Sequence, residues 1–146
     1  MRTVIPRFGV ILAAHGGALA KMLTPFKLGA GGRIGTGQQW MSWLTLDEAV
    51  GLIRYALDTT SLRGAVNAVS PNPVRNAEFT RALGQALHRP AIFPMPAFLA
   101  RVALGEMADA LLLSSQRVVP RRLEQAGYRF LAPELNGALQ AILHHA

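Results

Sequence analysis

The chain has 146 residues, 51% of them hydrophobic and 16% charged, which excludes a disordered polypeptide and leaves room for one domain with a modest core. It has no cysteine, so a disulfide framework and a thiolate metal site are excluded. The formal net charge of +7 favours an anionic partner, but the lysines and arginines form no longer run than the pair Arg121-Arg122 and otherwise stand apart, which suits a phosphorylated small molecule better than nucleic acid.

Residues 3–12 form a nearly continuous apolar run, the pattern of a strand buried on both faces of a parallel sheet. Pro6 and Arg7 interrupt it, one by removing a ladder donor and the other by needing a partner for its charge. The basic start, the apolar residues 8–14 and Ala18-Leu19-Ala20 outline a signal peptide, but Pro6-Arg7 splits the outline, and a cytoplasmic chain is expected. Ala13-Ala14-His15-Gly16-Gly17 is a turn at the strand's C-terminal end, where open α/β sheets bind ligands. A short helix over 18–23 is predicted to stop before Pro25.

The next stretch is rich in glycine: Gly29, Gly31, Gly32, Gly35 and Gly37 surround Arg33, and Gln38-Gln39-Trp40 follow. Glycine lets a backbone approach a ligand closely, and the arginine fork suits phosphate or carboxylate. Residues 39–44 read as extended. Thr45-x-x-Glu48 is a capping box that opens a helix, with Leu46, Ala49, Val50, Ile53 and Leu57 as its buried stripe. A positioned loop ahead of a packed helix is therefore expected. A second strand spans 64–69, and Ser70-Pro71-Asn72-Pro73 is a turn. Asn76 is the expected cap of a helix whose stripe is Phe79, Ala82, Leu83, Ala86 and Leu87. Pro96 opens a helix to about 104, and 106–113 is predicted helical again. Residues 97–113 are apolar, but Arg101, Glu106 and Asp109 argue against a membrane span. Residues 116–119 are extended, 120–125 helical with Gly127 as C-cap, and Leu135, Leu139, Ile142 and Leu143 mark a last amphipathic helix.

Several motifs are absent. There is no G-x-G-x-x-G, no glycine followed by lysine, no H-E-x-x-H and no G-x-S-x-G. Neither Tyr55 nor Tyr128 has a lysine four residues later, and the four histidines suggest no metal site.

The order of motifs resembles one family. Arg7-x-Gly9-Val10-Ile11-Leu12, Gly16-Gly17-Ala18-Leu19-x-Lys21-Met22-Leu23, Gly35-x-Gly37-x-Gln39-Trp40-x-Ser42-Trp43, Asn67-Ala68-Val69-x-Pro71-x-Pro73 and Leu104-Gly105-Glu106 are similar to the epimerase-like branch of the extended short-chain dehydrogenase/reductases, whose C-terminal portion carries a domain of unknown function. The resemblance runs from about residue 3 to 143. It implies an α/β chain: the C-terminal substrate-binding half of an extended short-chain dehydrogenase, with few parallel strands and several helices. The expected organisation is a single incomplete domain, with residues 1–45 giving the last sheet strands and the substrate loop and 46–146 a helical covering part.

In that family a dinucleotide-binding half comes first, with the phosphate loop and the catalytic Tyr-x-x-x-Lys; both match no residue here. No catalytic residue is assigned, and NAD(P) is implied for the complete protein while none is expected to bind this chain alone. By the same resemblance, Arg33, Gln38, Gln39 and Trp40 form a substrate-binding wall over the nicotinamide. Trp43 is read as core, and Gln116 and Arg117 as further residues near the pocket. The expected function is the substrate-binding part of an NAD(P)-dependent epimerase-like oxidoreductase of nucleoside-diphosphate sugars, inactive alone. The alternative is a binding module that pairs with a Rossmann-type partner. Both readings give a small-molecule substrate, no nucleic acid and no membrane. Both leave the edge of the first strand open to self-association.

Overall fold

The computed structural model describes residues 1–105 and 115–144, and the fold is α/β with few parallel strands and several helices. The helix predicted over 106–113 lies outside the described residues, as does Glu106 of the last motif.

The first apolar run does not form one strand. It divides at Gly9 into β1 (Val4–Phe8) and β2 (Val10–Leu12). β1 pairs in parallel with β5 (Gly64–Ala68), Val4 opposite Gly64, and β2 pairs in parallel with β4 (Trp43–Thr45), Val10 opposite Trp43. The division has a steric cause. A Cβ on residue 9 would lie 2.4 Å from the Ser42 carbonyl oxygen and 2.9 Å from Val69 Cγ1, so only glycine lets these segments meet. Val10 N then donates to Ser42 O at 2.8 Å, and Ser70 N donates to Trp43 O at 2.8 Å, which wedges β4 between β2 and the residues after β5.

The expectation of burial on both faces holds for Val10 and Leu12 of β2 and fails for β1, where Ile5 and Phe8 are 55% and 40% exposed. Among the described residues no strand pairs with the other edge of β1. Pro6 is tolerated there because an edge strand has no second ladder to interrupt. A third pair, β3 (Trp40–Met41) with β6 (Val74–Arg75), is antiparallel.

Helix α1 spans Gly17–Lys27 and runs through Pro25 rather than stopping before it. Proline removes one rung of the ladder. Burial of Leu19, Met22, Leu23 and Phe26 on one face outweighs that loss. Helix α3 (Asn76–Leu87) and helix α6 (Leu135–His144) pack with α1 around Trp43, Phe79, Leu83 and Leu139. Trp43 is fully buried, and its Nε1 donates to Asn72 O at 2.9 Å. Helix α4 covers Ala97–Leu104, and helix α5 covers Arg121–Ala126 and ends at Gly127 with φ 89°.

Helix α2 (Leu46–Asp58) begins where the sequence indicates: Thr45 Oγ1 accepts from Glu48 N at 3.1 Å. Its buried face differs from the expected one. Glu48, Ala49 and Leu52 face inward, while Leu46, Val50, Ile53 and Leu57 stay 45–70% exposed. Glu48 also does not reach back to the cap. Its carboxylate is fully buried and accepts from Tyr128 Oη at 2.7 Å, Leu131 N at 2.9 Å and Ala132 N at 3.4 Å. The backbone N–H groups past α5 leave a buried site that a charged acceptor satisfies better than a hydrocarbon. At the other end of α2 the Arg2 guanidinium donates to Ala56 O, Thr59 O and Leu62 O at 2.8–3.0 Å, a cation on the carbonyl end of a helix.

Candidate functional site

The glycine-rich loop is pinned along its length. Gly29, Gly35 and Gly37 have φ of 78°, 60° and 71°, conformations that favour glycine. Ile34 N donates to Asn76 Oδ1 at 2.7 Å, Gly35 N to Met95 O at 2.9 Å, and Met95 N to Arg33 O at 2.8 Å. The loop also serves α3: Asn76 N and Ala77 N donate to Gln39 O and Gly37 O, both at 2.9 Å. The first N–H groups of a helix lack intrahelical acceptors, and here the loop supplies them. Asn76 is thus not the cap. The helix starts one residue earlier than expected, Arg75 takes the cap position, and the fully buried Asn76 side chain holds the loop instead.

Downstream, Ser42 draws a distant segment onto β3. Its hydroxyl donates to Gln116 O and accepts from Val118 N, both at 2.8 Å, while Trp40 N donates to Ser115 Oγ at 3.0 Å. These bonds place Arg117 against Trp40. The Arg117 guanidinium lies 4.8 Å from the Trp40 ring centroid, and that of Arg75 lies 4.9 Å from it. Two guanidinium groups thus lie within cation–π range of one indole. Arg75 is held in place by Gln38, whose Oε1 accepts from Arg75 Nη1 at 2.6 Å.

Trp40 borders a cavity of about 390 Å³ that also takes in Arg7 and Gly9 from the end of β1, Asn67 from β5, and Gln116. It lies at the C-terminal ends of the parallel β1–β5 pair, the edge at which α/β sheets bind ligands. An aromatic face and nearby guanidinium groups can hold a ring and an anionic group together.

The structure therefore separates the four residues singled out in the loop. Trp40 and Gln38 meet at the arginine cluster. Gln39 Nε2 donates to Ile34 O at 3.0 Å and so braces the loop. Arg33 opens onto a different cavity, alongside α3. Arg75 was not legible as a site residue, because only the β3–β6 pairing sets Arg75 opposite Trp40. Arg7 stood out as a charge in an apolar strand, and the cavity gives that charge a location.

Residues 95–142 match the family model described as a domain of unknown function, DUF1731. Over 143 residues the chain is 44% identical to the epimerase family protein SDR39U1 of Bos taurus, covering 97% of this chain and 49% of that protein. The chain is a homologue of the epimerase family proteins, corresponding to their C-terminal portion. It spans about half the length of the curated relatives it matches. Among solved structures, the human epimerase family protein SDR39U1 (isoform 2) with NADPH superposes with a TM-score of 0.92 at 39% identity, covering 99% of this chain and 49% of that one. The nucleoside-diphosphate sugar epimerase of Corynebacterium glutamicum superposes with a TM-score of 0.77 at 29% identity, covering 99% of this chain and 26% of that one.

Among the described residues, no helix is long and apolar enough to cross a membrane, and no group of three or more acidic or histidine side chains could hold a metal ion. A dinucleotide needs a glycine-rich strand–turn–helix with cations or free N–H groups for its pyrophosphate. The turn from β2 to α1 has Gly16 and Gly17, but the cavity beside it is lined mainly by alanine and leucine, contains Asp47, and has no arginine or lysine. That cavity offers the pyrophosphate of a dinucleotide no guanidinium or ammonium group.

Proposed function

We propose that this chain is the substrate-binding part of an NAD(P)-dependent epimerase-like oxidoreductase of nucleoside-diphosphate sugars, with no redox turnover of its own. The observation that carries this reading is Trp40 at the cavity on the C-terminal edge of the β1–β5 pair, with the Arg75 and Arg117 guanidinium groups 4.9 and 4.8 Å from its ring centroid. In this reading Trp40 packs against a ring of the substrate, Arg75 and Arg117 neutralise its phosphates, Gln38 orients Arg75, and Gln39 keeps the loop closed. The NADPH in the human relative's structure supports the cofactor class for the complete protein. Calorimetry with UDP-glucose and NADPH tests the proposal. UDP-glucose should bind saturably and lose about tenfold or more in affinity in Trp40→Ala, roughly the worth of one good cation–π or stacking contact. Micromolar binding of NADPH, NADPH consumption with a carbonyl substrate, or UDP-glucose binding indifferent to Trp40→Ala would overturn it.

A second reading is favoured by the exposed face that β1 shares with α2. In that reading the face receives a Rossmann-type α/β partner, and a second copy of this chain substitutes when the partner is missing. Light scattering at micromolar concentration checks this. Self-association that a dinucleotide-binding partner dissolves supports it, and a monodisperse monomer indifferent to the partner refutes it.

A further inference from the structure

Helix α3 has two faces with different chemistry. Phe79, Leu83 and Ala86 enter the core. On another face Ala77, Thr80, Arg81, Gly84, Gln85 and His88 recur at helical spacing and line one side of a cavity of about 820 Å³. The opposite wall is the chain that doubles back after the helix. His88 takes the left-handed conformation with φ 55°, and Arg89 N donates to Gly84 O at 3.0 Å. Gly84 allows this return, since a Cβ there would lie 3.0 Å from both Arg89 O and Ala91 Cβ. Arg33, from the pinned loop, closes one end.

The groove has a one-sided charge. Arg33, Arg81 and Arg89 line it, and no aspartate or glutamate does. Arg89 is fixed, its Nε donating to Lys27 O at 3.1 Å and its Nη1 to His88 O at 3.2 Å. The Arg33 and Arg81 guanidinium groups have no hydrogen-bond or ion-pair partner among the described residues. Thr80 adds an independent observation. It lines the same groove, is only 3% exposed, and its hydroxyl has no hydrogen-bond partner. Buried polar groups are ordinarily satisfied, and one that is not calls for an explanation. A guanidinium fork is matched to phosphate oxygens, and like charges gathered in a cleft concentrate an anion there.

We propose that the groove along α3, bounded by Arg33, Thr80, Arg81 and Arg89, is a binding site for a phosphorylated small molecule, separate from the cavity at Trp40. The guanidinium groups of Arg33 and Arg81 contact the phosphate oxygens, and the Thr80 hydroxyl gains a partner when the ligand is seated.

The test is a two-dimensional amide NMR titration of the full chain with inorganic pyrophosphate at constant ionic strength. Shifts should saturate and cluster on residues 77–92 and around Arg33. Arg33→Gln and Arg81→Gln, both at exposed positions, should each weaken binding by about tenfold. Thr80→Val should weaken it while leaving the spectrum of the free protein folded. Trp40→Ala should leave it within about twofold, a result that stands whether or not the nucleotide-sugar reading holds. Shifts that fail to saturate, that sodium chloride reproduces at matched ionic strength, that centre on Trp40 and Arg117, or that survive both arginine substitutions overturn the proposal.

Discussion

The two edges of the β1–β5 pair differ sharply. The outer edge of β5 is covered by α5 and the chain that leads into it: Arg122 Nη1 donates to Ala65 O at 2.9 Å, Asn67 Nδ2 donates to Val119 O, and Leu123 is buried beneath. No strand among the described residues covers the outer edge of β1, and Ile5, Phe8, Ile53 and Leu57 are exposed on β1 and α2. A groove lined by Val4, Pro6, Phe8, Ile53 and Leu57 runs between the strand and the helix. A chain that closed its own core would bury such residues, as this chain does around Trp43 and Phe79. The contrast separates a side finished by the chain's own contacts from one that leaves apolar side chains exposed, the face that the second reading above offers to a partner.

The largest expected effect separates neighbours on α2. Leu52 is 4% exposed and Leu57 is 70% exposed. Leu52→Ala should cost about 3 kcal/mol, a buried leucine leaving a cavity. Leu57→Ala should cost about 0.5 kcal/mol or less in the isolated chain. Chemical denaturation measures both. Equal costs would mean that the open face is already packed, and the contrast would fail.

Next in size is the helix start that both regions depend on. Thr45→Ala removes the acceptor for Glu48 N and should lower stability by about 1 kcal/mol. No change within error would show that the buried Glu48 network, rather than the cap, fixes where α2 begins.

The smallest effect concerns the closed side at alkaline pH. Burial of the Tyr128 phenol raises its pKa, and the hydrogen bond to Glu48 and the Glu48 charge raise it further. The folded value lies above the unfolded one, so this stabilisation is fully present below the unfolded phenol value of about 10 and is lost as the pH rises from there through the folded value. Unfolding of the wild type and of Tyr128→Phe should therefore converge in stability above pH of about 10. A difference that stays constant across that range would sink the assignment.

Part of the fold is visible in the residues themselves. The Thr45 start of α2, the Gly127 end of α5 and the strand at residues 64–68 all follow from local backbone chemistry, which needs only near neighbours. The glycine-rich loop is legible as a positioned element for a similar reason: Gly29, Gly35 and Gly37 occupy left-handed conformations, and the capped helix α2 follows after β3 and β4. The errors have a common cause. Pro25 signals a helix stop, and the burial of Phe26 overrides it. The stripe of Leu46, Val50, Ile53 and Leu57 is amphipathic by spacing, but spacing does not say which face meets the core. Periodicity shows that a face is apolar, and only the neighbours decide whether it is covered.

The sequence by itself determined the α/β class, the family resemblance and most helix ends, and it singled out Trp40 and Arg33 as candidate binding residues. Only the tertiary structure decided that the first apolar run divides at Gly9, because that depends on where Ser42 and Val69 arrive. It also decided that Arg75 and Arg117, 42 residues apart in the chain, meet at one indole, while Arg33 faces another cavity. Local propensity acts through adjacent peptide groups and is written in short words of sequence. A binding surface is assembled from distant segments, and its geometry exists only once Ser42, Asn76 and Gly9 have brought those segments together.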